Sequence, residues 1–306
     1  MSPRPSNLPI LLLALAGLAA SNAAAEAPSD TAPPNPAAKA DTLLRQAVRN
    51  IEAHQSISAK LRHETDLFDK HLVGSGTYRE VRSDDVRKMR LELRTQLGEQ
   101  TSSLVQVCDG KYLWIHSNLP SEAKLGRVDV AKATQALEKA DTDGVLARPR
   151  ALPSLGGLAR LVRGIDAAFE FSAVESGQWG KDKQPVWRLQ GQWRRAQLVK
   201  LLPNQKETIE GGESPDLSKL PEQIPDQVVL LLQQEDLFPC RVEYRRTLPE
   251  KTIVPGSPAS RALVTMDLFE IHIDGRIDPS YFNYSPGDIK STDQTAAFIR
   301  ALGVQP

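Results

Sequence analysis

The chain has 306 residues, and its 38 lysines and arginines balance its 38 aspartates and glutamates, so the formal net charge is zero. Nucleic-acid-binding proteins normally carry a basic excess, so we expect no nucleic acid among the partners. A chain of this length is long enough for one large β-sheet domain.

The first 25 residues have the three parts of a cleavable secretory signal peptide. Arg4 lies in a short n-region, an apolar stretch runs from Leu8 to Ala20, and small residues up to Ala25 fit a cleavage site. The apolar stretch is too short for a membrane-spanning helix, which needs about 20 residues. No cysteine lies near the cleavage point. We therefore expect a soluble periplasmic protein without a lipid anchor at its N-terminus.

The remaining chain divides into a short leader and one domain. Residues 26–40 are rich in Ala and Pro, a composition that buries too little apolar surface to offset the entropy of ordering, so they predict a disordered leader. Residues 41–306 form the expected domain. It opens with a helix capped by Asp41 that runs to about His54, with apolar residues along one stripe.

Alternating patterns after this helix predict an antiparallel meander. Leu61 shares one face of its strand with the other apolar residues, and Met89, Leu91 and Leu93 oppose charged neighbours in the same way. Asp109-Gly110 between two apolar runs predicts a tight hairpin with a type I′ turn. The predicted strands are Ile57–Leu67, Leu72–Arg82, Lys88–Gln96, Ser102–Cys108 and Tyr112–Ile115.

The second half predicts two helices and then more strands. Helical patterns cover Ala131–Ala140 and Leu155–Ile165, and the second has Leu158, Leu161 and Val162 on its apolar stripe. Trp187 and Leu189 share one face of a later strand. Pro203–Pro225 is polar and predicts a surface excursion. The remaining elements are strands at Ala168–Val174, Pro185–Trp193, Gln227–Gln233, Pro239–Arg246 and Arg261–Ile273, and helices at Arg194–Leu202 and Thr292–Leu302.

Motifs of enzymes and metal sites are missing from the sequence. The five histidines show no H-E-x-x-H spacing and do not cluster with the cysteines, so we expect no metal. No serine-hydrolase elbow or phosphate-binding glycine loop occurs, and Gly74-Ser75-Gly76 lies inside a strand, where it predicts a bulge or bend. Asp84-Asp85 predicts a turn. We expect no catalytic residue, no cofactor and no enzymatic activity.

Two groups of residues keep alternative interpretations. Cys108 and Cys240 could pair in an oxidising compartment, where a loop of about 130 residues would contribute ~4–5 kcal/mol, or stay as two isolated buried thiols. Arg148, Arg150, Arg160 and Arg163 form a solvated basic face, or meet anionic head groups or a membrane-bound partner.

The order of elements resembles the lipoprotein-carrier superfamily of LolA, LppX and the sensor RseB, over nearly the whole mature chain. Two segments carry this resemblance in the first half, Leu72-Val-Gly-Ser-Gly-Thr-Tyr78 and Gln106-Val-Cys-Asp-Gly-Lys-Tyr-Leu-Trp114. The closing Tyr281-Phe-Asn-Tyr-Ser-Pro286 with Asp293-Gln-Thr295 is similar to that family's ending.

The resemblance implies a mainly β fold in which a strongly curved antiparallel sheet forms an incomplete β-barrel, with helices as a lid on its concave face. The helix at Leu155–Ile165 would supply a removable part of this lid, or it is an ordinary core helix. Acyl chains of lipidated proteins or lipids would bind between sheet and lid, and a membrane-bound protein would donate or accept them. The candidate ligand-binding residues are Leu61, Met89, Leu91, Leu93, Trp187, Leu189, Leu158, Leu161 and Val162.

Two other functions remain as alternatives. One is an envelope-stress sensor of the same fold that acts through a protein partner. Such a sensor has a second C-terminal domain, and since this chain ends soon after its last predicted strand, we expect the carrier. The other is an envelope enzyme or scaffold whose groove holds a different ligand, in which case polar groove residues would carry the function.

Overall fold

The computed structural model describes residues 36–67, 70–83, 86–97, 100–120, 122–142, 153–248 and 259–304. The expected signal peptide, residues 26–35 of the leader, the Asp84-Asp85 turn, Arg148 and Arg150 lie outside these ranges.

Twelve strands and six α-helices make up the described part of the chain. The helices are α1 (Pro36–Ala53), α2 (Val130–Thr142), α3 (Gly157–Ala168), α4 (Arg195–Leu201), α5 (Lys206–Glu210) and α6 (Thr295–Ala301). The strands are β1 (Ser56–Leu67), β2 (Lys70–Ser83), β3 (Val86–Leu97), β4 (Gln100–Cys108), β5 (Tyr112–Leu119), β6 (Glu122–Asp129), β7 (Phe169–Trp179), β8 (Gln184–Trp193), β9 (Gln227–Gln233), β10 (Pro239–Thr247), β11 (Ser260–Ile273) and β12 (Thr292–Asp293).

The strands form one open sheet in the order β12-β6-β5-β4-β3-β2-β1-β11-β10-β9-β8-β7. The predicted fold class is confirmed: the fold is mainly β, with an open curved sheet and helices over one face. All neighbouring strands are antiparallel except β12 and β6, which are parallel. Parallel strands cannot be joined by a tight turn, and residues 130–291 lie between β6 and β12 in the chain.

The core lies on one face of this sheet, called the inner face below. Period-two alternation puts Leu61 of β1 and Leu91 of β3 on it, and helices α1 and α3 add their apolar stripes to the same core. Gly76 of β2 lies opposite Leu61 and Leu93 in unbroken registers, so the predicted bulge is absent from β2. A Cβ at Gly76 would overlap the backbone of Glu92, so glycine permits the close approach of β2 and β3.

Two boundaries differ from the predicted ones. Helix α1 begins at Pro36, Asp41 lies within it, and Ala40 is buried, so residues 36–40 belong to the helix and not to the leader. Proline is tolerated here because the first turn of a helix leaves its N–H groups unbonded. Residues 203–225, which were predicted to be a surface excursion, also contribute to the core, since Ile209, Leu220 and Ile224 are buried in it.

The Asp109-Gly110 hairpin is present between β4 and β5, but its turn differs from type I′. Of this pair only Gly110 has a positive φ, of 100°. The Asp109 N–H donates to the Tyr112 carbonyl at 3.0 Å, and Cys108 pairs with Leu113, so the connection does not turn on Asp109 and Gly110 alone. The Asp109 carboxylate closes the turn by accepting from the Lys111 and Tyr112 N–H groups, both at 2.7 Å.

Candidate functional site

The structure brings all nine predicted groove and lid residues into one apolar core. Trp187 packs against this core half-buried, whereas the other eight are buried. They come from three separate strands of the sheet and from α3: Leu61 on β1; Met89, Leu91 and Leu93 on β3; Trp187 and Leu189 on β8; Leu158, Leu161 and Val162 on α3.

Helices α1 and α3 cover this face and contact each other. Leu44, Val48 and Ile51 of α1 face the core, and α3 contacts both β3 and β7. Near the N-terminal end of α1, the Lys39 ammonium lies 4.0 Å from the centre of the Trp187 ring. This cation–π contact holds the start of α1 against β8.

A buried carboxylate on β2 fixes the start of α3 to the sheet. Glu80 is 0% exposed, and its Oε2 accepts the Leu158 N–H at 3.0 Å. The residue before α3, Gly156, has no side chain to cap the helix, so Glu80 supplies the cap from the sheet. A negative charge also suits the positive end of the helix dipole.

Arg87 of β3 fixes the end of α1 to the sheet by donating hydrogen bonds to the last carbonyl groups of the helix. Its Nη2 donates to the Glu52 carbonyl at 2.7 Å and to the Ile51 carbonyl at 3.1 Å, while its Nη1 forms an ion pair with Glu80. The cation lies at the negative end of the α1 dipole. One ion pair thus joins the end of α1, the start of α3 and two strands.

Tyr78 completes this group, called the latch below (Tyr78, Glu80 and Arg87). Its hydroxyl donates to Glu80. Burial and the neighbouring carboxylate raise the pKa of Tyr78 well above its usual value, so the hydroxyl stays protonated and remains a donor. With three donors around it, the Glu80 carboxylate is fully engaged although it is shielded from water.

Sequence reasoning missed the latch. Tyr78 and Glu80 fall two residues apart on the inner face of β2, and a glutamate among inward-facing positions is the signal that could have found it. The donor that explains Glu80 lies 78 residues further along the chain, in Leu158.

Three buried polar atoms of the described residues lack a hydrogen-bond partner: His63 Nε2, Gln106 Oε1 and His116 Nε2. By alternation, His63 and Gln106 point to the inner face, next to Leu61 and Leu104 respectively. Burial lowers the pKa of His63 from 6.5 to about 4, so its imidazole is neutral at pH 7. The side chains of His63 and Gln106 are therefore two uncharged polar groups among the apolar side chains of the inner face.

The disulfide alternative is wrong. Cys108 and Cys240 are both free and buried. Cys108 lies in the inner-face core, whereas Cys240, at an irregular position in the pairing of β10 with β9, lies in a separate cluster with Val229 and Leu231. Four strands lie between β4, which carries Cys108, and β10, which carries Cys240. Because neighbouring strands are about 4.8 Å apart, the two thiols are too far from each other to form a disulfide. Burial raises the pKa to about 11 for Cys108 and about 12 for Cys240, so both stay as thiols.

The motif Tyr281–Pro286 lies across the outer face of the sheet. The Tyr281 carbonyl accepts from Arg90 at 3.1 Å, and the Tyr281 ring lies 4.3 Å from the Arg79 guanidinium. Tyr284 contacts the Trp114 ring, and its hydroxyl lies 3.0 Å from His116 Nδ1. This segment thus holds β2, β3 and β5 together from outside.

Within the ranges that the structure describes, no group of three or more His, Cys, Asp or Glu side chains could hold a metal ion. The helices described there are also too short or too polar to cross a bilayer. Of the predicted basic residues, Arg163 pairs with Glu52 of α1 at 2.6 Å.

No protein-family model and no curated protein matches the sequence. Solved structures that are similar include LppX of Mycobacterium tuberculosis, at 8% identity over 78% of this chain and 98% of that chain, with a TM-score of 0.35. LppX is one of the proteins of the superfamily that the order of elements in the sequence resembles. A putative lipoprotein-sorting domain from Vibrio parahaemolyticus matches at 8% identity, over 80% of this chain and 97% of that chain, with a TM-score of 0.30.

MucB is also similar, at 12% identity and a TM-score of 0.40. The match covers 81% of this chain, which spans 64% of the MucB chain. These identities and TM-scores transfer no ligand or partner from those proteins to this chain.

Proposed function

We propose that the protein is an exported binding or carrier protein for the acyl chains of lipidated proteins or lipids. The supporting observation is the inner face: one broad apolar surface, covered by helices that include α1 and α3, which the latch joins to the sheet. The signal-peptide pattern of residues 1–25 supports a periplasmic location. A membrane-bound donor or acceptor is part of the same proposal.

The energetics of acyl burial favour a carrier with a movable cover. Burying one CH₂ group contributes about 0.8 kcal/mol, so a sixteen-carbon chain would gain ~12 kcal/mol on an open apolar surface. A ligand held that tightly could not be passed on. Because α3 presents Leu158, Leu161 and Val162 to the core, moving it aside exposes apolar surface and offsets part of this gain.

Native mass spectrometry of the purified mature protein tests the proposal. After addition of a synthetic diacylated lipopeptide, we expect a one-to-one complex that organic extraction removes. The same peptide without acyl chains serves as the control and should not bind. A protein that neither co-purifies with an acyl ligand nor takes up the lipopeptide would refute the proposal.

A matched pair of variants on β3 locates the binding face. Leu93 is buried on the inner face, and its neighbour Arg94 is exposed on the outer face. Leu93→Ala should weaken lipopeptide binding several-fold, and as a core truncation it should lower stability by about 2–5 kcal/mol. Arg94→Ser should change neither, and equal losses of binding in the two variants would place the ligand elsewhere.

A further inference from the structure

We infer that Gln106 selects among acyl ligands, favouring those whose linkage next to the chain carries an N–H or O–H donor. This inference rests on the proposed function. Gln106 lies on β4, and its cross-strand neighbours are Leu91 of β3 and Ile115 of β5. It is 6% exposed, and its Oε1 has no hydrogen-bond partner among the residues that the structure describes.

An unpaired amide oxygen in this position is unfavourable in the protein without ligand. A buried acceptor that gives up water and gains no donor loses its desolvation free energy, and an apolar residue of similar size would avoid that loss. Glu80 shows the contrast, because every one of its interactions is provided by the protein itself. The described residues hold no group that completes Gln106, and we assign that role to the ligand.

The surroundings of Gln106 define the chemistry of that group. The neighbouring positions on the inner face, Leu91, Leu104, Cys108 and Ile115, are apolar and suit the methylene groups of an acyl chain. A donor at the head of such a chain can then reach Oε1. An amide or hydroxyl linkage has such a donor, whereas a simple ester has none and leaves Oε1 unpaired.

Two matched probes test this inference: N-palmitoylglycine and palmitoyl glycolate, which differ only in an amide N–H replacing an ester oxygen. The wild-type protein should bind the amide about tenfold more tightly, since one hydrogen bond to an otherwise unpaired buried acceptor is worth about that ratio. The measurement is competition against a fluorescent fatty acid at constant pH.

The variant Gln106→Leu should abolish the preference by weakening only the amide, with the ester bound at least as tightly as by the wild type. Its unfolding midpoint should not fall, because it removes an unpaired polar atom. Gln192→Leu, the same change at an exposed position of β8, should keep the tenfold preference.

Each failure has its own meaning. Wild-type protein that binds both probes equally would overturn the role of Gln106 and leave the carrier proposal standing, and this comparison does not depend on any variant folding. A preference that persists in Gln106→Leu would also overturn it. Binding of neither probe nor of the lipopeptide would count against the proposed function itself.

Discussion

At the scale of single residues, Glu80 is the side chain on which the helical cover depends most. A buried ion pair is expensive to desolvate, and it is retained at low cost only where further hydrogen bonds satisfy both partners. Here Leu158 and Tyr78 donate to the carboxylate, and two carbonyls of α1 accept from Arg87. Removing one partner leaves the other charged and shielded from water.

Glu80→Ala should therefore lower the free energy of unfolding by about 3–5 kcal/mol, the range typical of breaking a buried pair. The matched control is Glu122→Ala, because Glu122 pairs with Lys124 and both side chains are 58% exposed. That surface pair should contribute less than about 1 kcal/mol. Urea denaturation measures both, and similar losses would show that the latch does not hold the structure together.

His63 predicts how stability changes in acid. Its pKa is 6.5 in the unfolded chain and about 4 in the folded protein, so only the unfolded chain takes up this proton between those values. The His63 contribution is therefore fully present above pH 6.5 and falls as the pH drops towards 4, by at most about 3 kcal/mol. Burial of the imidazole away from water disfavours its protonated form.

His63→Leu should flatten the pH dependence of the thermal midpoint between pH 6.5 and 4. The comparison is His272→Leu, since His272 is exposed on β11, and this variant should keep the wild-type slope. Calorimetry across this range gives the result. An unchanged slope in His63→Leu would mean that another group titrates.

At the scale of elements, the start of α3 is the most sensitive point of the cover. Gly157 has a φ of +65°, and a Cβ there would overlap the Glu80 carboxylate and lie 3.1 Å from the Tyr78 hydroxyl. Backbone conformation and space both require glycine. The attachment of α3 to the latch therefore depends on the absence of a side chain at residue 157.

Gly157→Ala should destabilise the protein and free α3 from the latch. Gly180→Ala separates the two causes, because Gly180 has a φ of +77° and nothing within 4 Å of the added Cβ. The control should lose about 1–2 kcal/mol from backbone strain alone. Gly157→Ala should lose more, with faster amide hydrogen exchange in α3. Equal losses and unchanged exchange would contradict this account of the attachment.

The sequence predicted those elements that have regular patterns. In β1 and β3 strict alternation indicated both the strand and its buried face. Strand β6 was missed because Leu125 and Val128 are its largest apolar residues and they do not alternate. The two-residue strand β12 was placed in a helix, since pairing with β6 is decided by the path of the chain and not by local composition.

At the scale of the whole molecule, the candidate site combines what patterns show with what only folding can show. The apolar positions of β1, β3, β8 and α3 were identified from periodicity, because a buried face repeats. The latch and Gln106 break that repetition. Their meaning depends on partners from distant parts of the chain, as with Glu80 and Leu158, or on the lack of one, as with Gln106 Oε1.

The whole sheet and its cover produce the proposed function together. The open sheet gives one broad apolar face, the segment around Tyr281 braces it from outside, and α1 and α3 shield it from water. The latch fixes the end of α1 and the start of α3, and further polar contacts lie at Lys39 of α1 and at Asp166 of α3, whose carbonyl accepts from Arg194 at 2.9 Å. In the proposed function, these contacts break locally when the cover opens. In the proposed function, an acyl ligand would replace the apolar contacts that α3 makes with the inner face.

Photo-crosslinking with a lipopeptide whose acyl chain carries a diazirine tests the central claim most directly. Digestion and mass spectrometry of the labelled protein should place the crosslinks on the inner-face residues of β3 and on α3, around Leu91, Leu93 and Leu161, and excess unlabelled lipopeptide should suppress them. Crosslinks confined to outer-face residues such as Arg94, or labelling that the competitor does not reduce, would contradict an acyl-binding site between the sheet and its helical cover.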